Sequence, residues 1–181
     1  VNFGTQRLGG SSNGVDFTTA GISVGADKRL SPELAVGAGL GYGHDASDIG
    51  HDGSRSTANS YNAATYASFH PSESTYVDGL IGYQWLSFDA RRHIAANGNQ
   101  VFGSRDGKQW FGSFSTGYEH RDEHMLLSPY GRLDIASARL DAYTEHGDAL
   151  YSLHYDEQTV RTTTGSVGLR MDYPVKRDFG M

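Results

Sequence analysis

The chain has 181 residues with a formal net charge of −6, no cysteine and no block of lysine or arginine. This composition argues against nucleic acid as a partner and excludes a disulfide framework and thiolate metal sites. No apolar run approaches the ~20 residues that a membrane-spanning helix requires, and 11 tyrosines are not typical of a disordered chain.

The first part of the chain contains three segments in which apolar residues alternate with small or polar ones. The first covers residues 1–8, and the second ends at Leu30. The third, LAVGAGLGYG, covers residues 34–43, and in a strand its side chains would point alternately to opposite faces of a sheet. One face would then be apolar and the other almost bare. The apolar face carries Leu34, Val36, Ala38, Leu40 and Tyr42, and the bare face carries Ala35, Gly37, Gly39, Gly41 and Gly43.

The same alternation continues along the rest of the chain. We predict further strands at residues 61–69, 77–85, 110–119, 130–135 and 164–173. Short turns are predicted at residues 31–33, at HPSES and at HRDEH, and long polar loops at HDASDIGHDGSRSTANS, at residues 89–107 and around TEHGDALYS. Long connections thus alternate with short ones along about eight strands, which is typical of transmembrane β-barrels.

The charged residues decide between a membrane barrel and a soluble β-sandwich, which are the two folds that this alternation fits. Seven of them lie opposite the apolar face, where a wet lumen would solvate or pair them, whereas an arginine that faces lipid near the bilayer midplane costs about 2–4 kcal/mol. These seven are Asp27, Asp78, Glu119, Arg132, Asp134, Arg170 and Asp172. We therefore favour the barrel. The predicted pore-lining residues are Gly37, Gly39, Gly41, Asp78, Glu119, Arg132, Asp134, Arg170 and Asp172. The predicted lipid-facing residues are Leu34, Val36, Leu40, Tyr42, Ile81, Tyr83, Trp85, Val167 and Leu169.

The order of these segments resembles the autotransporter β-domain, the translocator of type V secretion. The likeness covers essentially the whole chain, and its most characteristic pieces are ADKRLSPELAVGAGLGY and SPYGRLD. The resemblance implies an all-β, antiparallel up-and-down transmembrane β-barrel of roughly twelve strands in the outer membrane of a Gram-negative bacterium. It also implies that residues 1–181 are part of a barrel domain, with a passenger and a linker helix before Val1 and several more strands, ending in an aromatic residue, after Met181.

The function implied by the resemblance is non-enzymatic: a barrel that anchors a passenger domain and provides the route for its export to the cell surface. The implied partners are outer-membrane lipid, the chain's own passenger and linker helix, and the barrel-insertion machinery, and no cofactor is expected. A small porin or adhesion barrel and an outer-membrane barrel hydrolase remain as alternatives. In family members that resemble self-cleaving enzymes, lumenal acids activate an asparagine of the linker. The acids available here are Asp78, Glu119, Asp134 and Asp172.

Histidines offer one further candidate chemistry. The run from His120 to His124 matches the H-x-x-E-H zinc motif, whose two histidines must share one face of a helix. No helical period surrounds this run, so we interpret it as a polar turn. Most of the other histidines fall in predicted turns or loops, and we expect no metal site. These are His51, His70, His93, His146 and His154.

Overall fold

The protein forms antiparallel β-structure throughout the residues that its computed structural model describes, which are 2–8, 15–50, 52–121 and 125–172. The longer strands contain up to 19 residues, and three further strands contain only two residues each. The strands are β1 (Asn2–Leu8), β2 (Val15–Arg29), β3 (Leu34–Ile49), β4 (Ser54–Ser72), β5 (Thr75–His93), β6 (Gln100–Tyr118), β7 (His120–Arg121), β8 (Leu126–Leu140), β9 (Tyr143–Thr144), β10 (His154–Tyr155) and β11 (Gln158–Asp172).

One sheet contains all the long strands in chain order. Its path is β1-β2-β3-β4-β5-β6-β8-β11, with β7 paired to the start of β8, while β9 and β10 pair with each other. Each long strand is therefore bonded to its neighbour in sequence, as in an up-and-down meander. The predicted all-β, antiparallel up-and-down fold with about eight strands is confirmed over the described residues. Among these residues, no helix is long and apolar enough to cross a membrane.

The predicted long loops at residues 44–60 and 89–107 are wrong in extent. Strand β3 continues to Ile49 and β4 begins at Ser54, so only a four-residue connection remains, with Gly50 and Gly53 at φ of 67° and 84°. Strand β5 likewise continues to His93 before β6 begins at Gln100. Polar, glycine- and serine-rich sequence was interpreted as loop, but left-handed glycines allow a tight hairpin whose polar strands remain paired in water.

The strands extend well beyond the length that a bilayer requires. A transmembrane strand needs about 9–11 residues, whereas β4, β5 and β6 each contain 19. The short connections, at residues 30–33 and 73–74, lie at one end of the sheet, which we call the short-turn end. The extended hairpins around residues 50–53, 94–99 and 141–157 lie at the other end, the hairpin end. The third predicted long connection, around TEHGDALYS, falls in the last of these.

The two faces of the sheet differ in exposure. We call the face that carries Leu40 and Ile81 the apolar face; these side chains are 62% and 63% exposed. The opposite, glycine face is more crowded. A Cβ added to Gly37 would lie 2.3 Å from the Tyr66 ring, and one added to Gly82 would lie 2.4 Å from the Phe111 ring. On the apolar face, by contrast, three glycines would meet nothing within 4 Å; these are Gly79, Gly131 and Gly165.

This difference indicates which way the sheet curves. Side chains of neighbouring strands approach one another on a concave face and separate on a convex one, as they do inside and outside a barrel. The large side chains of the glycine face lean over glycines of the adjacent strand, as Tyr130 does over Gly168. We therefore interpret the glycine face as the concave face and the apolar face as the convex one.

Candidate functional site

The alternating glycines of β3 lie in the middle of the glycine face. Gly37, Gly39 and Gly41 are directly opposite Tyr66, Ala64 and Asn62 of β4. A Cβ on Gly41 would lie 2.7 Å from the Asn62 amide nitrogen, whereas one on Gly39 would lie 3.2 Å from the carbonyl oxygen of Val24. A larger side chain at Gly41 would displace a side chain, and one at Gly39 would press on the backbone of β2.

Four of the predicted charged pore-lining residues lie together at the short-turn end of the glycine face. They surround a depression of about 370 Å³. Asp78 accepts a hydrogen bond of 2.6 Å from the hydroxyl of Ser68 on the adjacent strand, and Asp78 shares a register row with Ser115 and Arg132. The depression therefore has both acidic and basic groups in its wall. The four residues are Asp78, Glu119, Arg132 and Arg170.

Two arginines of this wall are paired within their own strands. The Arg132 guanidinium donates to both carboxylate oxygens of Asp134, with Nε to Oδ2 at 2.8 Å. Arg170 donates to Asp172 Oδ2 alone, from Nε at 3.1 Å and from Nη2 at 2.7 Å. Residues two apart lie on one face of a strand, so each pair remains on the glycine face. All four side chains keep more than a third of their surface exposed, so they remain accessible to solvent.

The residues predicted to face lipid are grouped on the apolar face. Val167 and Leu169 are 91% and 59% exposed, whereas Leu34 and Val36 are half-buried. Tyrosine and tryptophan follow one another near the hairpin end, where the Tyr83 and Trp85 rings lie edge to face at 4.9 Å. The Tyr42 and Tyr61 rings meet at 5.1 Å. We call these four residues and Trp110 the aromatic belt, since amphipathic rings favour the headgroup level of a bilayer.

Sequence reasoning missed a docking contact between two hairpin tips. The Arg92 guanidinium of β5 donates to Glu145, with Nε to Oε1 at 3.1 Å, and to the carbonyl oxygen of Tyr151 at 3.0 Å. The Glu145 side chain is 5% exposed and also accepts from the Leu153 amide at 3.1 Å. These bonds hold the tip of the β8–β11 hairpin against the β5–β6 hairpin. The pairing requires residues 53 positions apart, so no local pattern predicts it.

A second carboxylate completes this contact. Asp148 Oδ2 accepts from the side-chain amides of Asn97 and Asn99, at 2.8 and 2.9 Å, and Oδ1 accepts from the Leu150 amide at 2.9 Å. The hydrogen bond from Asn99, followed by those from the Leu150 amide and Asn97, lowers the pKa of Asp148. The hydrogen bonds from Arg92 likewise lower the pKa of Glu145, against an opposing effect of burial.

The described histidines do not form a metal site. His120 belongs to β7, so the described part of the H-x-x-E-H run is strand, and residues 122–124 lie outside the described residues. His70, His93 and His154 belong to strands rather than to loops, which corrects their predicted placement, and His51 lies outside the described residues. In the part of the chain that the structure describes, no group of three potential metal-ligating side chains comes together.

Comparison with known sequences identifies the proteins that this chain resembles. The sequence matches the family described as autotransporter beta-domain over residues 1–180. It is 24% identical over 184 residues to Esterase EstA of Pseudomonas aeruginosa, covering 98% of this chain and 28% of the esterase. It is 31% identical over 124 residues to the Probable autotransporter YpjA of Escherichia coli, covering 66% of this chain and 8% of that protein. The chain thus spans less than a third of these relatives.

A solved structure shares the same fold. The translocator domain of autotransporter NalP from Neisseria meningitidis superimposes with a TM-score of 0.79, at 20% identity. The match covers 90% of this chain and 57% of that one.

Proposed function

The chain belongs to the autotransporter β-domain family of outer-membrane translocators, and we propose that its glycine face lines the route along which a passenger is exported. The apolar face, in this proposal, contacts the lipid of the Gram-negative outer membrane. The difference in crowding and charge between the two faces carries the proposal. In the middle of the sheet, the concave face bears glycines, hydroxyls, amides and charged pairs, and the convex face bears exposed aliphatic and aromatic side chains.

The charged residues around the depression have a role that follows from their chemistry. Arg132 and Arg170 are paired with aspartates but remain more than half exposed, so each can exchange its partner for a charge on a passing polypeptide at little cost. Surface ion pairs contribute only about 0–1 kcal/mol. Such weak pairs suit a route that must bind the linker or passenger without retaining it. The pairing also keeps the wall hydrated, which favours a polar chain.

In this proposal the chain has no catalytic activity of its own. One relative is named an esterase, but the match covers 28% of that protein, and the family description refers to the β-domain alone. Assays of ester and peptide hydrolysis by the full-length protein and by a barrel separated from its passenger would test this. Turnover by the separated barrel would contradict it. The barrel-insertion machinery remains a proposed partner.

The steric part of the proposal can be tested by leucine substitutions on the two faces. Gly41→Leu places a large side chain on the glycine face, where it displaces Asn62 toward the lumen. Gly79→Leu adds the same side chain to the apolar face, where nothing lies within 4 Å of the new Cβ. We expect surface display of the passenger in whole cells to fall with Gly41→Leu and to remain normal with Gly79→Leu.

Folding must be measured alongside display. A folded outer-membrane barrel migrates differently on a gel before and after boiling, and both variants should retain this heat-modifiable band. Gly39→Leu, which presses on the backbone of β2, should reduce the band itself. Normal display by a folded Gly41→Leu variant, or an equal loss in Gly79→Leu, would contradict a route along the glycine face.

A further inference from the structure

The tip of the β8–β11 hairpin, which comprises residues 141–157, lies over the glycine face of the sheet. Gly103 lies an even number of residues along β6 from Phe111, which is on the glycine face, and residues an even number apart in a strand share a face. A Cβ added to Gly103 would clash with the Tyr143 ring of the tip. The first strand of the tip, β9, therefore directs its aromatic side chain toward the concave side of the sheet.

The rest of the tip crosses β6 on the same face. Arg92 of β5 and Val101 of β6 are directly opposite each other, and by parity both lie on the glycine face. Val101 is fully buried, and a Cβ added to Gly147 of the tip would lie 3.5 Å from its Cα atom. Arg92 donates to Glu145 and to the carbonyl oxygen of Tyr151. Because β6 lies between β5 and β8 in the sheet, the tip reaches Arg92 by covering the inner side of β6.

A cavity separates part of the tip from the sheet beneath it. It has a volume of about 290 Å³, and its wall includes Phe88 and Arg105 of the sheet and Tyr143 and Tyr155 of the tip. The two tyrosine rings are stacked on each other, with their centroids at 4.7 Å, and the Arg105 guanidinium lies 5.7 Å from the Tyr143 centroid. Since the interface includes this space, the contact between the tip and the sheet depends largely on the polar bonds described above.

The tip is a structural unit with a joint at each end. Its two strands, β9 and β10, pair with each other in a sheet of their own. Residues 141–142 separate β8 from β9, and residues 156–157 separate β10 from β11. Within the unit, the Glu145 amide donates to the carbonyl oxygen of Leu153 at 2.9 Å. Short joints outside the regular elements can absorb the backbone rotation that moves such a unit as a lid.

We propose that the tip is a gate at the hairpin end of the export route. When it is docked, the tip narrows the lumen beside β5 and β6. When its polar bonds are released, it rotates about its two joints and clears the glycine face for a passing polypeptide. The inference rests on the proposed function, in which the glycine face lines this route, and it adds a regulated closure to that route. Lids belong to the least stable elements of a fold, and the Arg92 side chain that docks this one is 37% exposed, so a passing chain can replace its bonds.

A disulfide can lock the gate, because residues 1–181 contain no cysteine of their own. Phe102 of β6 and His146 of the tip exchange two backbone hydrogen bonds of 2.8 Å. Residues paired in this way have Cα atoms about 5.5 Å apart, which is within the range that a disulfide bridges. The lock is Phe102→Cys/His146→Cys in the full-length protein. The matched control is Thr144→Cys/His154→Cys, which joins β9 to β10 and leaves the tip free to move as a unit.

We expect the oxidised lock to lose surface display of the passenger in whole cells, and dithiothreitol to restore it. The control should display the passenger normally with and without the reductant. Gel mobility without reductant shows whether each disulfide has formed, and the heat-modifiable band shows that the barrel is folded. Normal display by a folded, oxidised lock would overturn the gate. An equal loss in the control, or a loss that dithiothreitol does not reverse, would overturn it as well.

Arg92→Ala tests the gate without a disulfide. It removes the ion pair that docks the tip, so the empty route should close less well. Cells should then become sensitive to vancomycin, a hydrophilic antibiotic that the intact outer membrane excludes. The control is Arg139→Ala, which removes an exposed ion pair with Glu157 and should leave the sensitivity unchanged. Equal sensitivity of the two variants would overturn the closing role of the tip.

The outcomes for the gate and for the route can be told apart. If Gly41→Leu blocks display but the oxidised lock does not, the route along the glycine face stands and the gate is wrong. If a folded Gly41→Leu variant displays the passenger normally, the route itself is wrong, whatever the lock does.

Discussion

The contact between the hairpin tips allows a quantitative prediction for Arg92→Ala. Removing one partner of a buried ion pair costs about 3–5 kcal/mol, because the other charge remains buried. The Glu145 side chain is 5% exposed, but Arg92 is 37% exposed, so water can enter part of the vacated space. We therefore expect a cost of about 2–3 kcal/mol in the free energy of local opening, below the full buried value. Each 1.4 kcal/mol is tenfold, so amide exchange should accelerate about 30-fold or more.

Hydrogen exchange with mass spectrometry on the folded barrel in detergent measures this effect directly. The informative amides are those that the docked tip protects: the Glu145 amide donates to Leu153 O at 2.9 Å, and the Phe102 and His146 amides each donate to the other's carbonyl oxygen at 2.8 Å. We expect faster exchange in these segments and unchanged exchange in the membrane-spanning parts of β5 and β6.

Arg139→Ala provides the matched control. It removes an ion pair with Glu157 in which both side chains are exposed, at 66% and 46%, so its cost should be only about 0–1 kcal/mol. Unchanged exchange at the tip in Arg92→Ala would refute the reasoning. An equal acceleration over the whole sheet would refute it as well, because it would mean that the contact stabilises the barrel rather than the tip.

Three further outcomes follow from the same structure. The contribution of Glu145 to tip stability should be fully present above its ordinary pKa of 4.5 and lost as the pH falls through the lowered pKa of the folded state. Acid should therefore accelerate amide exchange in the tip of the wild-type protein but hardly in that of Arg92→Ala. Asp148→Ala leaves the amides of Asn97, Asn99 and Leu150 without their acceptor, so limited proteolysis should cut the tip faster; equal cutting rates would argue against this role. Ile81→Arg, in the middle of the outward residues of β5, should cost about 2–4 kcal/mol of stability in vesicles, whereas Gln84→Arg on the glycine face should cost little; equal denaturant midpoints would reverse our assignment of the faces.

The sequence predicts the strands that meet the membrane better than the strands that meet water. In residues 34–43, one face carries apolar side chains and the other almost none, as expected if lipid meets one face and the lumen the other, and this alternation is visible without a structure. At residues 44–60 both faces are polar, so the period disappears although the backbone remains paired from Leu34 to Ile49 and from Ser54 onward. Pairing depends on the backbone, whereas the pattern depends on a difference in solvent between the faces.

The candidate functional site could likewise be predicted from the sequence only in part. The grouping of Asp78, Arg132 and Arg170 on one face could be predicted, because parity along each strand fixes the face of every residue. Their gathering around one depression could not be predicted, since it depends on the register between strands. The placement of Tyr130 over Gly168 depends on the register of β8 with β11 in the same way.

The molecule is therefore stabilised by different interactions on the two sides of the aromatic belt. On the short-turn side of the belt, most large side chains of the apolar face are exposed, and in our proposal lipid covers them. Beyond the belt, the strands continue into water, where an isolated hairpin is marginally stable. The buried hydrophobic residues Ile94 and Val101 both lie at this end, next to the pair of Arg92 and Glu145. At the hairpin end, burial and the docked ion pair thus replace the constraint that, in our proposal, the bilayer imposes on the rest of the sheet.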